Sequence, residues 1–378
     1  MKLLIVMDQF DSANNGTTIS AQRFAQALKE RGHQVRAVAG GPSGEHVYGL
    51  PVMHFPPPAE HIIRSQGMQF AKPQAETLEK AIRWADVVHF MMPFPASKAG
   101  LKIAQQLGVP HTAAFHVQPE NITSTLHLGR TAWANEWLYT RFRDDFYNQF
   151  QHIHCPSEFI AGQLRQRGYT AQLHVISNGV ASRFRPHPVQ RDPRLGDRIV
   201  VTMVGRLSEE KRQDVLIEAV RRSRYAQRIQ LVLAGHGPKA GSLQRLGKRL
   251  PHPPIFGFYT PDQLRDLLCM SDLYVHAADV EIEAIACLEA VACGLVPVIA
   301  QSDLSATPQF ALDERSLFPA GDPDALAKKI DWWLDHPEER ARMGAVYARS
   351  ADAYRLKNSA EKAEAMFYDA IRDQQARR

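Results

Sequence analysis

Ile199-Val200-Val201-Thr202-Met203-Val204-Gly205-Arg206-Leu207-Ser208-Glu209-Glu210-Lys211 decides how this chain is read. Ile199 to Val204 is a run of β-branched and apolar residues and predicts a buried strand. Gly205 lets the backbone turn sharply where the strand ends. Arg206 and Lys211 follow with two fixed positive charges, and Asp214 to Arg222 has helical periodicity. Working outward, Ile229 to Ala234 predicts another strand, ending in Gly235-His236-Gly237-Pro238. Leu273 to His276 and Val296 to Ala300 predict two more. Strand, helix, strand in this order means a parallel sheet with crossover helices.

The same rhythm fills the first half. Leu3 to Met7, Gln34 to Ala39, Asp86 to Phe90 and His111 to Phe115 predict strands, and Thr17 to Arg31 predicts a helix ending at Gly32. Between the halves, Phe184 to Pro193 holds three prolines and no periodicity, which marks a linker near residues 184–195. The expected fold class is therefore α/β, with two Rossmann-like, doubly wound domains facing a cleft. The N-terminal domain covers residues 1–183 and is completed by a C-terminal helix over 354–376. The second domain covers 195–353. Ligands in such sheets bind at the carboxyl ends of the strands, so the cleft is the expected site.

A length of 378 residues exceeds what one core usually serves, and 44% hydrophobic with 22% charged residues excludes a disordered or fibrous chain. The formal net charge of +5 suits an anionic substrate or membrane surface, and equally suits an ordinary basic protein. Cys155, Cys269, Cys287 and Cys293 form no metal-ligand spacing and read as core thiols in a reducing compartment. The apolar N-terminus stops at Asp8, too short for a signal peptide, and no run has the length of a transmembrane helix. A cytoplasmic location is expected, with room for a peripheral contact on the inner face of the membrane.

Two motifs carry chemistry. Gly205-Arg206 with Lys211 offers a planar guanidinium fork and a point charge, a pair that suits a diphosphate. Solvated loop charges are the competing reading. Glu281 to Gly294 then reads as a loop end followed by a nearly apolar helix holding Glu289 in its first half. A carboxylate in an apolar helix costs free energy unless it is hydrogen-bonded, and sugar hydroxyls are suitable donors. A core ion pair is the alternative for Glu289, and helix-N-terminal placement the alternative for Glu281 and Glu283.

With these residues the chain resembles the retaining glycosyltransferases of the GT-B fold, family four, along nearly its whole length. Gly205-Arg206-Leu207 with Lys211, and Glu281 with Glu289, carry the resemblance. Ser177-Asn178-Gly179-Val180, Leu288-Glu289-Ala290 into Cys293-Gly294-Leu295-Val296-Pro297-Val298, and Gly321-Asp322 extend it. It implies that Arg206 and Lys211 hold the diphosphate of a nucleotide-sugar donor. Glu289 would accept from ribose hydroxyls and Glu281 would lie beside the transferred sugar. His116 would sit near the sugar from the first domain, and Gly16 would let the backbone approach the donor phosphates. Departures exist. Where the family often has Gly or Ser, then Phe, then Gly after the first Glu, this chain has Ile282, Glu283 and Ala284, so Glu283 competes with Glu281 for the sugar. Asn15-Gly16-Thr17 stands where two glycines are common. The wording around Asp279 to Glu283 and His116 to Asn121 is similar to diacylglycerol glucosyltransferases and related polysaccharide enzymes.

The implied activity is transfer of a hexose, UDP-glucose-type, to an acceptor hydroxyl on diacylglycerol, a lipid-linked glycan or a polysaccharide. The donor is a substrate, no cofactor or metal is implied, and no nucleic-acid partner is expected. A nucleotide-sugar epimerase or a non-catalytic sugar-binding protein are the alternatives. An NAD enzyme lacks its motif, since no GxGxxG follows Met7. Trp133 and Trp137 lie one helical turn apart, flanked by Arg130, Arg141 and Arg143. They either pack into the first domain as ordinary aromatics or lie on a membrane surface. Ile62 to Phe70 mixes apolar and basic residues in a first-domain loop on the acceptor side.

Overall fold

β1 (Lys2–Val6) has four of its five residues buried, and β4 (Val87–Phe90) has all four. Strands covered on both faces need helices on both sides, and this is the layering of the first unit. The computed structural model describes residues 1–10, 16–57, 59–65, 68–125 and 131–377. Asn15, Gln66, Gly67 and Arg130 lie outside the described residues.

The chain divides into two compact units, residues 1–179 with 356–378, and residues 180–355. In the first, β1, β2 (Gln34–Gly40), β3 (Val47–Leu50), β4, β5 (His111–Ala114), β6 (His152–Cys155) and β7 (Gln172–Val175) form one parallel sheet. Its order is β3-β2-β1-β4-β5-β6-β7. The order reverses between β1 and β4, which makes that edge the ligand crevice of the unit. The C-terminal helix Leu356–Ala376 packs on this sheet. Ala360, Ala363, Met366 and Phe367 are buried in one core with Leu3, Ile5 and Phe24.

The second unit repeats the plan. β8 (Ile199–Val204), β9 (Ile229–Ala234), β10 (Ile255–Gly257), β11 (Leu273–His276), β13 (Pro297–Gln301) and β15 (Leu317–Pro319) run parallel in the order β10-β9-β8-β11-β13-β15. Its switch point lies between β8 and β11. A separate ribbon joins β12 (Val280–Glu281) to β14 (Leu304–Ser305). Trp333, Tyr274 and Phe318 anchor the core.

Three local expectations change. The proline-rich stretch belongs to the second unit from its first residue. Phe184 is buried in that core, its carbonyl accepts from Arg355 Nη1 at 2.8 Å, and Val180 N donates to Tyr354 O at 2.8 Å. Glu281, expected in a loop, is a strand residue paired with Ser305. The helix after it runs only Ile285–Ala292, because Ala284 at its N-cap has φ 59° and cannot continue a right-handed turn. Glu289 therefore lies in the second half of the helix.

Candidate functional site

The reversal of strand order sets the site. Because β8 and β11 are neighbours, the loops leaving their carboxyl ends meet, and these carry Arg206 to Lys211 and Asp279 to Glu281. Asp279 N donates to Glu210 O at 2.8 Å, and Arg212 Nη1 donates to Asp279 Oδ2 at 3.0 Å. On the other side, the loop after β9 is pressed onto the loop after β8. A Cβ on Gly235 would stand 2.0 Å from Gly205 O, and one on Gly237 would stand 2.4 Å from Leu207 O. Only glycine permits that approach, so Gly235-His236-Gly237 serves backbone packing around the arginine loop.

Lys211 Nζ is ion-paired to Glu281 Oε1, with both side chains largely buried. His276 Nε2 lies 3.0 Å from the same oxygen, and its Nδ1 lies 3.2 Å from Tyr274 Oη. A tautomer with the proton on Nε2 donates to Glu281 and accepts from the tyrosine hydroxyl. Burial pushes the Glu281 carboxyl up. The Lys211 charge and the His276 hydrogen bond outweigh burial and hold it at about 2. Glu281 is thus a fixed carboxylate. Arg206 lies half-buried in the turn after β8, its pKa lowered by burial against the pull of Glu210. Its carbonyl accepts from Gln213 Nε2 at 2.7 Å, which fixes the turn.

Glu283 and Glu289 are both buried, Glu289 on the apolar helix and Glu283 ahead of it. Arg206, Lys211, Glu281, Glu283 and Glu289 all belong to the second unit, and the first two share the strand end with Gly205. His116 and Gly16 belong to the first unit. His116 is buried just beyond β5, its ring edge-to-face on His154 with centroids 5.0 Å apart, and among the described residues its Nε2 has no hydrogen-bond partner. Burial, then His154 and His89, hold it well below the usual imidazole range, so the ring is neutral. Gly16 opens the Gly16–Glu30 helix, and a Cβ there would meet nothing within 4 Å among the described residues. Among the described residues, no group of three or more His, Cys, Asp or Glu side chains is placed to hold a metal ion.

Two neighbours of the site escaped the sequence reading. His276 ends a buried strand and looks like core. Phe258, just past β10, is 72% exposed with its ring 4.9 Å from His236. Its signal was positional, since it follows a strand end as Arg206 does. The membrane segment also differs from one reading. Trp133 and Trp137 on the Ala132–Asp145 helix are 73% and 60% exposed, so they do not pack into the first unit. Ala134, Asn135, Tyr139 and Phe142 do. Arg141 continues the exposed row and pairs with Asp145, while Arg143 is held by Asp144 and the Arg167 carbonyl.

Two family models match the chain in succession. "Glycosyltransferase Family 4" matches residues 14–184 and "Glycosyl transferases group 1" matches residues 189–349. A GDP-mannose-dependent alpha-mannosyltransferase of Mycolicibacterium smegmatis is 27% identical over 310 residues, covering 79% of this chain and 79% of that protein. An alpha-monoglucosyldiacylglycerol synthase of Streptococcus pneumoniae is 24% identical over 233 residues, covering 58% of this chain and 52% of that protein. The solved structure of Anabaena HepE with UDP and glucose is 15% identical, with TM-score 0.76 over 98% of this chain and 100% of that one, a likeness of fold. The expected architecture is borne out, both halves match in order, and the chain is a GT-B glycosyltransferase belonging to family four.

Proposed function

We propose that this enzyme transfers a hexose from a nucleoside-diphosphate sugar, with retention at the anomeric carbon, to a hydroxyl of a membrane lipid or lipid-linked glycan. The observation that carries the donor half is the buried Lys211–Glu281–His276 chain at the β8/β11 switch point, where the loop that holds Arg206 leaves β8. Arg206 and Lys211 supply the charge that a diphosphate leaving group needs. Glu281, kept ionised, accepts from sugar hydroxyls. Glu289 accepts from ribose, and the exposed Phe258 ring with His236 offers a stacking face for the base. In the first unit, the family resemblance keeps His116, neutral through burial, as a candidate for the sugar and Gly16 as a candidate for the donor phosphates.

Retention follows from attack on the same face that the diphosphate leaves, the diphosphate oxygen taking the acceptor proton. The two relatives named above both carry "alpha" in their names, one using GDP-mannose and the other making a glucosyl lipid. That pair supports the class of donor and leaves glucose and mannose to be separated by assay. The lipid half rests on Trp133, Trp137 and Arg141, an exposed row at i, i+4, i+8 that suits the interface of an anionic bilayer. No helix among the described residues is long and apolar enough to cross a membrane.

The test is incubation with labelled UDP-glucose and GDP-mannose in the presence of diacylglycerol vesicles. Label moving into the lipid fraction, with an α-anomeric proton coupling in the product, is expected. Free epimerised nucleotide sugar or a β-linked product contradicts the reading.

A further inference from the structure

The first unit has its own switch point, between β1 and β4, and Asp8 lies just past the end of β1. It is 1% exposed. Its backbone is held in place. Gly40 N donates to Asp8 O at 3.1 Å, and a Cβ on Gly40 would stand 3.0 Å from that oxygen and 3.3 Å from Ala71 Cβ. One side-chain oxygen is used, since Ala71 N donates to Oδ1 at 2.9 Å. The other, Oδ2, is buried and has no hydrogen-bond partner among the described residues. A buried acceptor left without a donor costs free energy that folded chains ordinarily avoid. Burial also pushes this carboxyl up to about 7, against the pull of the Ala71 amide.

Phe70 directly precedes Ala71 and closes the apolar and basic stretch that begins at Ile62. Its ring is edge-to-face with Phe94, centroids 5.0 Å apart, and with Phe55, 5.7 Å apart. Met53 N donates to Phe70 O at 2.8 Å and fixes that segment. Phe94 is the N-cap of the Pro95–Leu107 helix, which follows β4 on the other side of the switch point. None of the three rings is fully buried. One end of the first sheet thus brings together a carboxyl oxygen that lacks a donor and a set of part-exposed aromatic rings. A sugar ring matches both, with a hydroxyl for the carboxylate and an apolar C–H face for the aromatics.

We propose that Asp8 Oδ2 binds a hydroxyl of the acceptor other than the one that is glycosylated, so that the acceptor presents a sugar ring whose apolar face lies on Phe70 and Phe94. This rests on the transferase reading above and narrows its acceptor. The proton count selects the second hydroxyl. In same-face attack the reacting hydroxyl gives its one proton to a diphosphate oxygen and has none left for Asp8. Diacylglycerol has a single free hydroxyl, whereas a glycosylated lipid has several. Asp8 is therefore a binding residue that takes no proton, and the site selects a lipid-linked sugar over diacylglycerol.

The test compares full-length wild type with Asp8→Asn. Asparagine keeps an oxygen for Ala71 N and puts an NH2 donor in place of Oδ2, so the fold is retained and the acceptor is lost. Saturation-transfer NMR with methyl α-D-glucoside as the probe should show ring-proton signals with wild type and lose them with the variant. In assays with vesicles carrying monoglucosyldiacylglycerol, KM for that lipid should rise about ten- to a hundredfold in Asp8→Asn, the loss of one charge-assisted hydrogen bond, with KM for the donor unchanged. Wild type should also prefer this lipid to diacylglycerol. Equal probe signals in both proteins, none in wild type, an unchanged acceptor KM, or diacylglycerol used as readily as the glycolipid overturns the inference. A merely structural Asp8 would move both KM values together. Wild type that transfers from no nucleotide sugar contradicts the transferase reading instead, and the probe measurement, which needs no donor, still decides the Asp8 site.

Discussion

Lys211 has two tasks, and they can be pulled apart. It faces the donor phosphates in the proposed mechanism, and it neutralises the buried Glu281. Arg206 has the first task, and the carboxylate whose charge acts on it, Glu210, is only partly buried. Lys211→Ala should therefore cost about 3 kcal/mol of stability, because an uncompensated buried carboxylate remains. Arg206→Ala should cost less than about 1 kcal/mol, while each lowers kcat/KM roughly ten- to a hundredfold. Chemical denaturation alongside kinetics checks this; equal stability loss in both would remove Lys211 from its structural task. The sign with pH is fixed by Glu281, whose folded pKa of about 2 lies below the unfolded value near 4.5. Its stabilisation is present above about pH 5 and is lost as pH falls toward 2. In Lys211→Ala that acid sensitivity should flatten.

Ala284 makes a second residue-scale prediction. It holds φ 59°, ψ 62° at the position where the family resemblance implies glycine. Ala284→Gly should raise stability by about 0.5–1 kcal/mol, measured as a shift in urea midpoint with unchanged slope. A loss of stability would mean that the local backbone is not strained. These residues also show what was legible. Arg206, Lys211, Glu281 and Glu289 stood out because charge in an apolar setting is expensive. His276 did not, because a histidine closing a buried strand has the pattern of core. Phe258 did not, because one exposed phenylalanine in a loop is ordinary until its neighbour is known.

At the scale of elements, strands and helices were legible where apolar period was unbroken. Ile199–Val204 and Ile229–Ala234 match residue for residue. Ends slipped by about one residue where an apolar side chain continues past the last ladder bond, as at Met7 and Phe115. The Ala132–Asp145 helix was ambiguous for a physical reason. A row of tryptophan and arginine fits a buried face or a membrane face equally, and only the exposure of Trp133 and Trp137 separates them. The Trp133→Ala/Trp137→Ala double variant should melt within about 1 °C of wild type, since little packing is lost. It should lose flotation with anionic vesicles at low salt. A large drop in melting temperature, or undiminished flotation, would contradict the assignment of this face.

For the whole molecule, alternation of strand and helix made two parallel sheets legible, because crossover connections leave few other topologies. The exact division was less so. Prolines at 186, 188 and 193 suggested a linker, whereas the chain changes unit at Gly179 and again at Tyr354 to Leu356, where backbone pairing is the deciding contact. The returning helix makes the first unit dependent on the far end of the chain. Phe367→Ala should cost about 3–5 kcal/mol and lower the melting of the first unit. Proteolysis fragments mapped by mass would show cleavage within residues 1–179 first; cleavage confined to 180–355 would contradict that dependence.

The central claim is that the β8/β11 switch point of the second unit binds a nucleoside-diphosphate sugar through Arg206, Lys211 and Glu289. The most direct measurement is a thermal-shift titration of the full chain against UDP-glucose, GDP-mannose and their diphosphates, run beside Arg206→Ala and Glu289→Gln. A ligand at about a hundred times its dissociation constant adds roughly 2.7 kcal/mol to the folded state, so one of the nucleotide families should raise the wild-type melting temperature by several degrees. The shift should shrink in both variants. A shift of equal size in both variants, or none with any nucleotide in a folded wild type, would contradict the account.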